Sequence, residues 1–194
     1  MVNYKATSNE SDVNINVYNS TIKGYLENWY NKNLKEYENY IDTNAVYCND
    51  RTIRNLGGWN KEGGTYPNNW LQFRQYSINN DLSCSNATDR FSMNNPKAKI
   101  DAPIGLITEP ERGLMGTTYA ATGTWYWGLS PNYFSSISAG VRRVLAVGSS
   151  SDDYVGSAGG VRAAITLNPG TEIISGDGSK ANPYQVGPLV DLGV

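Results

Sequence analysis

The amino-acid sequence predicts an α+β fold. Helix signals are concentrated early, where apolar residues recur at three- and four-residue steps across residues 19–42. Beyond residue 124 the chain turns to short β-branched and aromatic runs separated by Pro, Gly or Asp-Gly. At 194 residues it is long enough for one domain with a real core, two domains are not expected, and no internal repeat is present.

Taken in order, residues 1–18 are polar, alternate weakly at Val13, Ile15 and Val17, and are expected to fray as a flexible segment. Asn19 or Ser20 caps a helix whose apolar positions are Ile22, Tyr25, Leu26, Trp29 and Tyr30. Leu34, Tyr37, Tyr40 and Ile41 continue the pattern with a phase drift near Asn31-Lys32-Asn33. Either one kinked helix or two consecutive helices therefore ends by Asp42, and its aromatics are expected in the core. A short strand follows at 46–48, then a Gly/Asn/Pro loop at 54–69. Thr108-Glu109-Pro110-Glu111 combines a threonine cap, a proline in the first turn and a glutamate three residues on, which starts a short helix through about Met115. Strands are expected at 125–129, 140–147, 160–167, 172–174 and 184–186, with Val161, Ala163 and Ile165 forming one buried face. The domain should span 19–186, and residues 187–194 read as a tail.

Composition narrows the function classes. Only 18% of residues are charged and the net charge is -2, which attracts neither nucleic acid nor an anionic membrane. No apolar run approaches the roughly 20 residues of a membrane span, so direct membrane contact by these residues is not expected. Fourteen Tyr and five Trp against three Phe favour aromatics with a polar edge, which suit half-exposed packing and adaptable recognition. Histidine is absent, which removes the commonest general base and metal ligand.

Catalysis finds little support in the motifs. Ser130 lies in Leu-Ser-Pro rather than in a Gly-x-Ser-x-Gly elbow, and the capping box accounts for Glu109 and Glu111. Asp152 and Asp153 are adjacent, so in extended chain they point to different sides. Asp177-Gly178-Ser179 lacks the glutamate that a calcium loop needs, and neither Gly57-Gly58 nor Gly63-Gly64 leads into a phosphate-binding helix. Asn86-Ala87-Thr88 matches a glycosylation triplet by chance. No catalytic residue, metal site or cofactor is expected, and the protein is not expected to be an enzyme.

From Gly128 to Leu167 the chain runs 40 residues without one Lys, Glu, Gln, Trp or Met, all of which occur elsewhere in it. Those five are the residues that an AAC codon cannot reach when its adenines are randomised. Tyr126-Trp127-Gly128-Leu129-Ser130-Pro131, then Val144, Gly148, Val155 and Gly160-Val161-Arg162, resemble the C-terminal half of C-type-lectin-like variable proteins diversified by retroelements in phages and gut bacteria. The likeness extends upstream through Tyr47-Cys48-Asn49-Asp50-Arg51, Leu82-Ser83-Cys84 and Pro103-Ile104-Gly105-Leu106-Ile107-Thr108. Downstream it takes in Ser175-Gly176-Asp177-Gly178 and Asn182-Pro183-Tyr184. The stretch Asn19-Ser20-Thr21-Ile22-Lys23 with Asn28-Trp29-Tyr30 is similar to pilin-like surface proteins of Gram-positive gut bacteria. Relatives commonly have proline after Gly-Val-Arg, where this chain has Ala163, and a longer Ala/Gly helix near 111–116.

The resemblance implies a C-type-lectin-like fold with N-terminal helices packed on a twisted antiparallel sheet and long ordered loops. Trp127, Pro131, Val144, Val147, Gly148, Val155 and Gly160-Val161-Arg162 would be scaffold. The implied ligand-binding positions are Asn132, Tyr133, Ser135, Ser136, Ser138, Gly140, Arg142, Asp152, Asp153, Tyr154, Gly156, Ser157 and Gly159. Tyr, Ser, Gly, Asn, Asp and Arg are also the residues that antibody paratopes use. The partner would be a protein or glycan on a cell or phage surface, with a structural pilin-like subunit that joins a pilus assembly as the alternative. A removed N-terminal anchor and a cell-surface or extracellular location go with either reading. Neither formylglycine-generating activity nor calcium-dependent sugar binding carries over. Both cysteines precede residue 90, and Glu109-Pro110-Glu111 with Trp59-Asn60-Lys61 is the wrong order for the sugar site. Cys48 and Cys84, an even pair in an exported context, suit a disulfide, with two buried free thiols as the other arrangement.

Overall fold

The structure is a computed structural model that describes residues 19–53, 71–74, 81–134, 139–179 and 181–189. The expected fraying segment 1–18 and the loop at 54–69 lie outside the described residues. Helix α1 spans Thr21–Asn33, and Ser20 Oγ accepts a hydrogen bond from Lys23 N at 3.2 Å, a cap worth about 1 kcal/mol. A separate 3₁₀ turn, Lys35–Tyr40, follows, so the phase drift marks two consecutive helices. Leu26, Tyr30 and Ile41 enter the core, whereas Tyr25, Trp29 and Tyr37 are exposed, against the expectation for the aromatics. Lys23 displaces them from the buried stripe: its ammonium is neutralised by Glu27 at 2.7 Å, so its long stem can pack inward.

Strand β1 (Tyr47–Cys48) pairs with β3 (Arg90–Phe91), and β2 (Leu71–Gln72) joins a larger sheet described below. Cys48 and Cys84 form a disulfide with their Cα atoms 5.9 Å apart. Beside it, Arg51 and Asp89 form a buried ion pair in which Arg51 Nε donates to Asp89 Oδ1 at 2.7 Å. Asp50 accepts from Arg74 Nε at 2.6 Å, so four consecutive residues, Cys48 to Arg51, tie this chain segment to distant ones, Asn49 through its backbone N–H alone.

Helix α2 (Glu109–Met115) begins with the expected reciprocal capping box: Glu111 N donates to Thr108 Oγ1 at 3.3 Å and Thr108 N to Glu111 Oε2 at 2.7 Å. A short helix α3 (Thr117–Ala120) leads into the main antiparallel sheet, ordered β2-β4-β5-β6, with β4 at Tyr126–Phe134, β5 at Ala139–Val144 and β6 at Ser150–Tyr154. β4 continues past the expected end at 129 because Pro131 falls at a register shift, where a missing N–H costs no ladder bond. β5 stops at Val144 rather than 147, since Gly148 N turns back to Leu145 O at 2.8 Å. Val147 is 70% exposed and is not a core position. Gly148 is one: at φ 84 its place for a Cβ lies 1.9 Å from Thr117 O, so only glycine fits.

The expected strand at 160–167 is a correction. Its residues make isolated bridges to three different places, Tyr126↔Gly160, Gly105↔Ala164 and Ile41↔Leu167, so no ladder can build. Val161 and Ile165 are each 37% exposed, and only Ala163 of the alternating set packs on the core. The last elements, β7 (Thr171–Ser175) and β8 (Gln185–Leu189), form a hairpin, which takes residues 187–189 out of the expected tail.

One buried cluster joins these parts: Leu26, Tyr30 and Ile41 meet Tyr47, Phe91, Ile104, Leu106, Trp127 and Leu129. The disulfide anchors the β1 side of that cluster across a sequence separation of 36 residues. Reduction should therefore lower the unfolding free energy by about 3–4 kcal/mol in urea titration. Alkylation of the denatured, unreduced protein should add no mass, and two added alkyl groups would contradict the bridge.

Candidate functional site

The stretch that lacks Lys, Glu, Gln, Trp and Met builds β5, β6 and most of β4, and the strand alternation sorts its side chains onto two faces. Arg142 pairs in register with Asp152, and Arg143 with Ser151, so the two adjacent arginines diverge. On one face Arg142 reaches Asp152 Oδ1 at 3.6 Å and Glu109 Oε1 at 3.8 Å. On the other, Arg143 Nη1 donates to Asp153 Oδ2 at 2.6 Å, and its guanidinium lies 5.0 Å from the centre of the Trp125 ring. Asp152 and Asp153 thus point to opposite sides, as expected.

Glu109 carries a role that the capping box hid. Its carboxylate is 2% exposed and lies 3.1 Å from Arg112 Nη2; Ser150 Oγ donates to it at 2.8 Å, and its own N–H donates to the buried Ser130 Oγ at 2.8 Å. Arg112 in turn donates to Gly148 O at 3.3 Å. Glu109, at the start of α2, therefore joins β5 and β6 through its carboxylate and β4 through its backbone N–H, and Arg112 carries the contact on to the turn between β5 and β6. Nothing in the sequence marked this residue beyond its place in the cap.

Asn132, Tyr133 and Gly140 were expected to face a ligand, and all three are buried. The reason is a slot. Tyr133, Gly140 and Tyr154 stand side by side across β4, β5 and β6, and a Cβ on Gly140 would lie 2.3 Å from Tyr133 Cε1. The Tyr133 ring lies over the glycine, and Tyr154 meets it edge to face at 6.3 Å. Asn132 is 2% exposed, and its backbone carbonyl accepts from Phe73 N at 3.0 Å. Ser135, Ser136 and Ser138 lie outside the described residues.

The remaining positions make a surface. Tyr154 is 55% exposed, Gly156 and Gly159 are exposed, and Ser157 and the Asp152 and Asp153 side chains are reachable from solvent. Ser157 Oγ donates to Asp153 Oδ1 at 2.9 Å and Tyr154 N donates to the same oxygen at 2.8 Å. Burial alone would raise the Asp153 carboxyl, but these two hydrogen bonds and the Arg143 guanidinium outweigh it and hold the group below the ordinary carboxylate range. Among the described residues no cluster of three or more metal-ligating side chains occurs. The arrangement offers an aromatic edge, fixed carboxylates and small polar groups, a chemistry of contact and hydrogen bonding. No family model, curated protein or solved structure matches this chain.

Two outcomes follow from the geometry. Gly140→Ala should cost roughly 1–3 kcal/mol in urea unfolding, because the Tyr133 ring has to leave its slot, whereas Tyr154→Ala should cost about 1 kcal/mol or less. The reverse order would show that Tyr133 is not seated as described. Asp153 sets the second. Its depressed folded value means the stabilisation is complete above the ordinary carboxylate value of 3.8 and is lost as pH falls through the lower folded one. The urea midpoint of the native chain should exceed that of Asp153→Asn by a constant amount from neutral pH down to about 5, and the gap should close under stronger acid. A gap that widens in acid would refute the assignment.

Proposed function

We propose that this is a displayed recognition protein with a C-type-lectin-like fold, and that the end of the β5–β6 ribbon with the turn at 155–159 is its binding face. The observation that carries the reading is the exposed Tyr154, seated edge-on against a buried Tyr133 and flanked by Asp152. A stiff aromatic on a braced strand beside small polar residues is how adaptable binding surfaces gain affinity at low entropic cost. The restricted residue set of 128–167 supports diversification by adenine-directed mutagenesis, and the disulfide agrees with an oxidising, cell-surface location. The ion pairs that occupy Arg142, Arg143, Asp152 and Asp153 favour a binding role over catalysis.

The hairpin β7–β8 gives the structural-subunit reading one specific support. Ile173, Ile174 and Tyr184 are each more than half exposed, as an assembly contact would be in the isolated chain.

The flanking DNA separates the two. A reverse-transcriptase gene beside a near-copy of the codons for 130–160, differing at adenines, is the expected finding; the absence of both would favour the subunit. In protein and glycan array screening, Asp152→Ala with Tyr154→Ala should lose most of any captured signal, at least tenfold, while leaving the melting curve within about 1 kcal/mol of the native one. Capture that survives the double substitution would place binding elsewhere.

A further inference from the structure

A cavity of about 340 Å³ opens between the first turns of α1 and the β4–β5 face turned away from Glu109. Ile22, Tyr25, Trp127, Val141 and Val161 supply apolar and aromatic wall, and no charged side chain lines it. One polar group stands out. Asn49 contributes to the wall, is 3% exposed, and its side-chain oxygen Oδ1 is withdrawn from water without a hydrogen-bond partner. A buried amide oxygen left unmet is costly, because it has given up its water without a replacement partner. The side chain has not been placed by accident, because the segment on either side of it is fixed by the Cys48 disulfide and the Asp50–Arg74 ion pair, while Asn49 N donates to Asp89 O at 3.0 Å. The terminal torsion of an asparagine is broad, so rotation of the amide can bring Oδ1 to the wall that Asn49 contributes.

We infer that this cavity is a small-molecule site for a neutral, mainly apolar, ring-sized ligand carrying one N–H or O–H that donates to Asn49 Oδ1. Size and lining fit that class: the volume lies at the lower end of ligand pockets, an uncharged wall disfavours ions, and Trp127 and Tyr25 present aromatic surface to a flat ring. The cavity shares Val155, Ser157 and Gly159 with the 155–159 turn of the proposed binding face, but it opens on the side of the sheet opposite to the Tyr154 side chain, and its chemistry does not depend on residues 128–167 being diversified.

Indole and 1-methylindole test it, since they differ in the one donor. Saturation-transfer NMR on the full chain should show indole bound with a Kd on the order of 1 mM or tighter and 1-methylindole about tenfold more weakly. Asn49→Ala should erase the difference between the two compounds. Val161→Trp, at the half-open rim, should remove both signals with the melting curve unchanged, and Tyr154→Ala should change neither. No transfer to indole, or equal affinity of the native chain for the two compounds, would overturn the site and leave Asn49 with a bound water only. Indole binding that survives Val161→Trp in a folded protein would place it elsewhere and overturn it equally.

Discussion

The carboxylate of Glu109 is the constraint on which the C-terminal half depends. It is almost wholly withdrawn from water, it faces guanidinium groups from Arg112 and Arg142, and it receives the Ser150 hydroxyl. Removing one member of such a set leaves an uncompensated charge in a poorly solvated place, which costs several kcal/mol, although a hydrophobic replacement of the whole set need not. What the network supplies is therefore position more than net stability. It fixes how far α2 sits from the sheet, and through Arg142 it sets the strand that carries Asp152 and Tyr154.

The sheet consequently has two differently used faces. Toward Glu109 the side chains of β5 and β6 are locked by charge and by the packing of Val144 with Ala120 and Tyr126. On the opposite face Val141 packs on the main hydrophobic cluster and borders the cavity, while Arg143 is held between Asp153 and the Trp125 ring. Neighbouring arginines thereby serve separate structural tasks without meeting. In the proposed binding role, a surface presented from strands braced on both sides would need little ordering on contact, which is the energetic condition for recognition by small residues.

Local rules made the helices legible. Ser20 and the Thr108 box have short-range signatures, and both helices begin where those residues say. The α+β composition and the split of Asp152 and Asp153 could be read from periodicity alone. The extent of the strands could not, because it is set by partners distant in sequence. Pro131 reads as a terminator until β5 supplies the bulge that accommodates it, and 160–167 reads as a strand although its bridges go to three segments that never align. Among the site residues, exposure was the failure. Asn132, Tyr133 and Gly140 have the composition of a contact surface but are buried, since whether a Tyr or Gly faces water depends on which residue stands beside it on the next strand. Glu109 and Asn49 gave no signal, one being explained by its cap and the other being one asparagine among many.

The ring of Tyr133 occupies the volume that any side chain at 140 would need. In terms of sequence space, the two positions are one choice. A large residue at 133 favours glycine at 140, and a side chain at 140 favours something small at 133. Were the sheet diversified as proposed, its well-folded variants would be fewer than the product of the randomised codons, because combinations that fill the slot twice are destabilised. The same exclusion makes substitutions at 133 and 140 strongly epistatic, so that the route from one folded variant to another passes through a small residue at both sites.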